Sequence, residues 1–381
     1  MKIAILGIRG LPLGDISFGG FEAFIAGLAP RLAQRGHDVT VYCRRDLYSR
    51  RPVEHDGVRL RFVRSIEHKV FGTPLHTTLA ALDAVGRGYD AILVLNSGNG
   101  LQCALLRLAT RARLLLNMDG VEWHRGKWGR FGRAYFKFAS RVGARMVHVA
   151  IADSIAIAEV YRRSFGLPTT FIPYAVDVYN SDHDNKLREI GLTRGDYGLI
   201  VGRLIPENVT DVVVEGFQRG LPNQQLVVVG DANYRSPFHD RLRAIAGPQT
   251  RFLGHVHDQH LLWQLFRHSR VYLHGHSVGG TNPALLQALA AGCLIGANDV
   301  VFNREVVSDA GRFFHATADS VAETARSLWM MPSSQAAELS RHAQTRIQEG
   351  GYSWERVVGA YEAALAGSDG APEPYCPQSH S

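Results

Sequence analysis

The chain has 381 residues, 46% of them apolar and 20% charged, a size beyond the roughly 250 residues at which single cores stop growing, so two domains are expected. No run approaches the roughly 18 uninterrupted apolar residues of a membrane span, and the opening MKIAILGIRG is broken too early by Arg9 for a signal peptide, so a cytoplasmic address is expected. The net charge of +7 is unevenly spread: residues 1–176 carry 25 Lys and Arg against 13 Asp and Glu, residues 177–381 carry 17 against 22, and the basic part suits an anionic partner, either nucleic acid or the cytoplasmic leaflet.

Short β-type runs alternate with helical patterns from the first residues. KIAIL leads to a helix near Phe21 to Arg35, and DVTVY, AILVL, LLLN and VHVAI follow, each with helix-like sequence behind it. This alternation predicts an α/β fold with a doubly wound parallel sheet. Polar and turn residues gather in TFIPYAVDVYNSDHDN, placing a boundary near Val176 and a first domain over 1–176. A second alternating series, YGLIVGR, LVVVG, RFLG, RVYLH and CLIGA, predicts a second domain over 177–350. Within 351–367, SWERVVGAYEAALAG has helical periodicity, and this helix is expected to return to the first domain. Residues 368–381, with APEPYCPQSHS, read as a loose tail. Cys43, Cys103, Cys293 and Cys376 show neither C-x-x-C spacing nor a disulfide framework, so reduced thiols and no metal site are expected.

In doubly wound sheets ligands sit beyond the carboxyl ends of the strands, so the residues following each strand are the candidates. After RVYLH comes HGHSVGGTNPALLQALAAG. Gly279 and Gly280 can take special backbone angles, Thr281 precedes the N-cap Asn282, Pro283 suits the first helical position, and Gly292 stops the helix. With His274 and His276 at the strand end, this junction outlines an anion site for a diphosphate; the plain alternative is an ordinary capped helix. After YGLIV, Gly202 and Arg203 open VGRLIPEN, and the guanidinium fork of Arg203 suits phosphate. The first loop, GIRGLPLGDISFGGFE, carries Gly19 and Gly20 but lacks the G-x-G-x-x-G spacing. DVTVYCR ends without an acid, which counts against NAD; Arg44 leaves an NADP reading open. After LLLN, Asp119, Glu122, Trp123, His124 and Lys127 combine carboxylates, cations and an aromatic, and Asp153 and Tyr174 follow the next strands. As a set they outline an acceptor-side wall; singly, each reads equally well as a capping or packing residue.

MKIAILGIRGLP with GGFE, DGVEW followed by KW, IADS, IPY, VGRLIPEN with VGDANY, HGHSVGGTNP and YSWERV appear in that order over nearly the whole length. In this the chain resembles bacterial family 4 glycosyltransferases of the GT-B fold, within them the subgroup holding rhamnosyltransferases of capsule and cell wall. The resemblance implies two Rossmann-like domains facing a cleft and retaining transfer of a sugar from a nucleoside diphosphate, with dTDP-L-rhamnose as the donor. The acceptor implied is a hydroxyl of a lipid-linked saccharide, met at the inner membrane face, with no metal, no cofactor and no nucleic acid involved. Arg203, Asp119, Asp153 and Tyr174 would serve the reaction. Gly19, Gly20, Glu207, Asn208, His276, Gly279, Gly280, Thr281, Asn282 and Gln287 would meet the donor, and Glu122, Trp123, His124 and Lys127 the acceptor. The family's two glutamates eight residues apart correspond here to Gly279 and Gln287, and its usual lysine to Asn208. These departures motivate two alternatives, a catalytically silent module that recruits partner transferases and a sugar-nucleotide epimerase.

Overall fold

A computed structural model describes residues 1–13, 19–65, 72–118, 120–124, 128–179, 181–231 and 237–368, with the side chain of His124 excepted. The chain divides into two compact units, one of Met1–Tyr174 with Trp354–Ser381 and one of Ala175–Ser353. The division thus falls after Tyr174 rather than Val176, because the Val176 N–H bonds to the Tyr352 carbonyl at 3.1 Å and Val176 bridges to Ser353 within the second unit.

The first unit is an eight-stranded sheet. Its strands are β1 (Lys2–Leu6), β2 (Asp38–Arg44), β3 (Glu54–His55), β4 (Val58–Val63), β5 (Ala91–Leu95), β6 (Arg113–Asn117), β7 (Val149–Ala152) and β8 (Thr170–Phe171). They run in the order β3-β4-β2-β1-β5-β6-β7-β8, parallel except where β3 pairs antiparallel with β4. The connecting helices are α1 (Gly20–Gln34), α2 (Gly72–Ala84), α3 (Gly100–Ala109), α4 (Arg130–Met146) and α5 (Ile155–Phe165). Every side chain of the central β5, AILVL, is buried, as expected for a parallel strand covered on both faces.

In the second unit the strands are β9 (Tyr197–Val201), β10 (Gln225–Val229), β11 (Thr250–Gly254), β12 (Val271–His274), β13 (Ile295–Asn298) and β14 (Arg312–Phe314), all parallel, in the order β11-β10-β9-β12-β13-β14. Its helices are α6 (Asn185–Glu189), α7 (Thr210–Gly220), α8 (Pro237–Ile245), α9 (Gln259–Arg267), α10 (Pro283–Ala291), α11 (Val301–Val307), α12 (Ala318–Trp329) and α13 (Ser333–Glu349). Val213, Val214 and Phe217 of α7 pack with Val321, Ala325 and Leu328 of α12 in a core shared with β10 and β12. The last helix, α14 (Trp354–Ala366), belongs to the first unit, where Trp354 stacks on Phe24 of α1 at 5.8 Å and the Asn117 amide donates to the Tyr361 hydroxyl at 2.6 Å. The expected tail lies outside the described residues from 369 onward, and Cys376 with it; Cys43, Cys103 and Cys293 are buried free thiols. No helix among the described residues is long and apolar enough to cross a membrane.

Candidate functional site

β9 ends at Val201, and Gly202 and Arg203 follow it. The amide of Gly202 donates to the Val229 carbonyl at 3.0 Å, which brings the tips of β9 and β10 together, and Gly230 (φ +125°) lacks the Cβ that would collide with the Gly202 carbonyl. Beyond Arg203 the chain makes a single turn over Pro206–Asn208 and enters α7 through Val209 at φ +40°. A β-branched residue in the left-handed region is strained by about 1–3 kcal/mol, so this turn is held by its surroundings rather than by local preference. Asn208 does part of the holding. It is buried, and its amide nitrogen donates to the Arg203 carbonyl at 2.7 Å. This inward bond braces the backbone from which the exposed Arg203 side chain projects.

β12 ends one strand away, at His274, and Gly275 and His276 continue it. The imidazoles of His274 and His276 stack at 4.3 Å and 9°. His276 stands directly beside Gly202: a Cβ there would meet its Cε1 at 2.6 Å. Burial pushes the His276 pKa down to about 3, and the nearby Arg203 cation lowers it further in the same direction. His274 is likewise held well below the usual histidine value, by burial and then by His276. Its Nδ1 meets the Tyr272 hydroxyl at 2.8 Å, while its Nε2 is buried with no hydrogen-bond partner among the described residues. The site therefore presents one fixed cation beside two neutral imidazoles.

The loop after His276 is sewn to the Arg203 turn. Both the amide and the hydroxyl of Ser277 donate to the Glu207 carbonyl, at 3.2 and 2.6 Å. Asn303 of α11 secures the other side by donating to the carbonyls of His276 and Asn298, each at 2.9 Å. Gly279 takes φ +136°, whereas Gly280 is not in the left-handed region, so only the first glycine of the pair needs its conformational freedom. Asn282 caps α10 by accepting from the Ala284 amide at 3.0 Å, Pro283 opens the helix, and Gly292 closes it at φ +73°. Because Pro283 has no N–H, Ala284 is capped, and Leu286 donates to the Asn282 carbonyl at 3.1 Å, the helix's first turn keeps little beyond its dipole to offer an anion. Thr281 is buried, and Glu207 and Gln287 are half-buried.

The residues expected to form an acceptor wall in the first unit are placed differently. Asp119 and Lys127 lie outside the described residues, as does the side chain of His124. Trp123 is buried, edge-on to Tyr161 at 5.3 Å and tilted against Phe165 at 5.5 Å. Glu122 is also buried and accepts from the Trp128 indole N–H at 3.1 Å. Asp153 is 0% exposed, and Tyr174 is buried in a stack on Phe24 at 4.5 Å and 16°. All four side chains are buried within the first unit. Gly19 caps α1, donating its amide to Glu22 Oε2 at 2.9 Å, while Glu22 Oε1 accepts from the Arg9 amide at 3.1 Å. Glu22 was missed by sequence reasoning, although a glutamate three residues after the cap is a recognisable signal. Asn303 gave no such signal. Arg44, the residue behind the NADP reading, is buried and donates to the Thr73 hydroxyl at 2.6 Å. Among the described residues no group of three His, Cys, Asp or Glu side chains is placed to hold a metal ion.

Residues 19–175 match the family described as "Glycosyl transferase 4-like domain", and residues 184–346 match "Glycosyl transferases group 1". No curated protein matches the chain. Among solved structures, the chain is similar to sucrose-phosphate synthase from Thermosynechococcus elongatus at 18% identity and TM-score 0.79, covering 96% of this chain and all of that one. It is similar to Anabaena HepE in complex with UDP and glucose at 17% identity and TM-score 0.74, with 96% and 99% of the two chains covered. WaaG, a glycosyltransferase involved in lipopolysaccharide biosynthesis, matches at 14% identity and TM-score 0.69 over 97% of this chain and all of WaaG. At these identities the structural likeness shows the fold, GT-B with two Rossmann-like domains.

Proposed function

We infer, from a chain that belongs to the glycosyltransferases of the GT-B fold through both of its domains, a retaining transferase that moves a sugar from a nucleoside diphosphate to a hydroxyl of a lipid-linked saccharide. The donor proposed is dTDP-L-rhamnose, and the setting is synthesis of a cell-surface polysaccharide at the inner face of the plasma membrane. The observation that carries the reading is the joining of the Arg203 turn to the His276 loop, through Ser277 on Glu207 and through the close approach of His276 to Gly202.

In the proposed reaction the bond between the anomeric carbon and the diphosphate oxygen breaks as the acceptor oxygen bonds to that carbon on the same face. The departing diphosphate takes the acceptor's proton, so no side chain needs to act as nucleophile. What the chain supplies is stabilisation of charge that grows on the diphosphate. Arg203 is fixed by its own backbone bond to Asn208, and the Gly279–Asn282 loop brings amides ahead of the positive end of α10. His274 and His276, held neutral, add hydrogen-bonding capacity without a second cation that would trap the product. Gln287 of α10 would meet the nucleoside or sugar by a neutral hydrogen bond. Support for a nucleotide-sugar donor comes also from HepE, whose complexes hold UDP and UDP-glucose.

Purified protein incubated with dTDP-rhamnose, UDP-glucose and GDP-mannose, with and without a saccharide acceptor, tests the reading. Turnover of dTDP-rhamnose in preference to the others is expected. A donor converted to an epimer without acceptor would favour the epimerase instead, and binding of donor without turnover would favour the silent module.

A further inference from the structure

Strand β12 and the two residues after it read VYLHGH, and the two-residue period of a strand divides this run into two faces. Val271 and Leu273 enter the apolar core shared with α7 and α12. The other face carries Tyr272, His274 and His276. Tyr272 is 0% exposed and His274 1%. A parallel strand covered on both sides is expected to be apolar throughout, because a buried polar group without a partner is destabilising. This face keeps such a group: His274 Nε2 is buried with no hydrogen-bond partner among the described residues. In return the three side chains fix one another. The Tyr272 hydroxyl lies 2.8 Å from His274 Nδ1, the His274 ring stacks on that of His276 at 4.3 Å and 9°, and His276 stands against Gly202. Tyr272 is itself packed edge-on to Phe266 of α9 at 5.2 Å.

We propose that Tyr272 is a positioning residue of the donor site, acting through His274 on His276. Its hydroxyl donates to His274 Nδ1 and so fixes that imidazole in one plane, with its proton on Nε2, and the stack passes the plane on to the ring beside Gly202 and Arg203. A phenol is the stronger donor of this pair and an imidazole nitrogen the stronger acceptor, which sets the direction of the bond. The nitrogen that carries the proton in a neutral histidine is then the one left over. Without the hydroxyl neither nitrogen of His274 has a partner, so nothing distinguishes its two tautomers or its two ring orientations, and the surface on which His276 packs is no longer unique. The inference rests on the reading of the Arg203 and His276 loops as a diphosphate site, since it assigns what Tyr272 does for that site.

Long-range proton–nitrogen NMR spectra of the full chain carrying nitrogen-labelled histidine test this, with the signals of the pair assigned by their loss in His274→Gln and His276→Gln. The parent is expected to show His274 in a single neutral form protonated at Nε2. Tyr272→Phe, which removes one oxygen, should show both tautomers of His274 and shifted His276 signals. The same substitution should weaken dTDP by about fivefold in calorimetric titration and raise the KM for dTDP-rhamnose by a similar factor, more than it lowers kcat. A role in packing alone would lower Tm and leave the tautomer and the KM as they are in the parent. His274 protonated at Nδ1 in the parent would overturn the proposal, and that measurement needs no variant to fold. Equal dTDP affinity in the parent and Tyr272→Phe would overturn the role of Tyr272 alone, whereas a parent that binds no nucleoside diphosphate would overturn the donor-site reading on which that role rests.

Discussion

In the second unit the strand tips open into glycine and then into side chains near the surface: Gly202 before Arg203, and Gly275 before His276. In the first unit, the segments following β6, β7 and β8 lead to Trp123, Asp153 and Tyr174, all buried. Both sets follow strands of a parallel sheet, yet only the second-unit set includes an exposed side chain, that of Arg203. Position after a strand identifies the edge. Whether a side chain there works outward or inward depends on the neighbours it finds, and Tyr161, Phe165 and Phe24 occupy the aromatic faces of the first-unit set.

The sharpest way to break the contrast is to exchange one residue from each set. Arg203→Ala should reduce donor turnover by about 10²–10³-fold, the cost of removing one charge-stabilising donor, with stability within about 0.5 kcal/mol of the parent because the side chain is exposed. Trp123→Ala should do the reverse and cost about 3 kcal/mol of stability, read by denaturant unfolding. Loss of acceptor affinity without loss of stability would return Trp123 to the acceptor wall. A smaller effect is expected for Gly202→Ala, whose methyl would press on the His276 ring and raise the donor KM by about tenfold. An unchanged KM would show that His276 is not held in a working position.

The pH dependence sharpens the same comparison. His274 and His276 are neutral in the folded chain, with pKa values pushed down, and His76 of α2 is held at about 4 by burial and then by Arg44. An unfolded histidine titrates near 6.5, so between about pH 4 and 6.5 the unfolded chain binds more protons. Stability should therefore fall as pH drops below about 6.5, and His276→Gln should shift the decline of Tm toward lower pH. Between pH 6 and 8 no rate change should come from His276, since its charge does not change there.

Much of this was legible in sequence. IAIL, AILVL and YGLIV are unbroken apolar runs, and the Gly279 to Gly292 junction follows capping rules almost residue by residue. The strand β4 was missed because VRLRFV alternates arginine with apolar residues on a strand whose other neighbour is the two-residue β3. Arg203 could be picked out because it follows a strand through glycine. Asn303 could not, since its role arises from the approach of α11 to the His276 loop, with the bonded partners 27 positions apart. The inward turn of Asn208 was likewise invisible, because an asparagine in a turn reads equally well as a ligand contact or a backbone brace.

The proposed hold of the second unit on a pyrophosphate through Arg203 is tested most directly by calorimetric titration of dTDP and of thymidine into the parent and Arg203→Ala. The account predicts that dTDP binds the parent, that thymidine binds far more weakly, and that the substitution weakens only dTDP, by at least about tenfold. Equal dTDP affinity in the two proteins, or no binding of any nucleoside diphosphate by the parent, would contradict it.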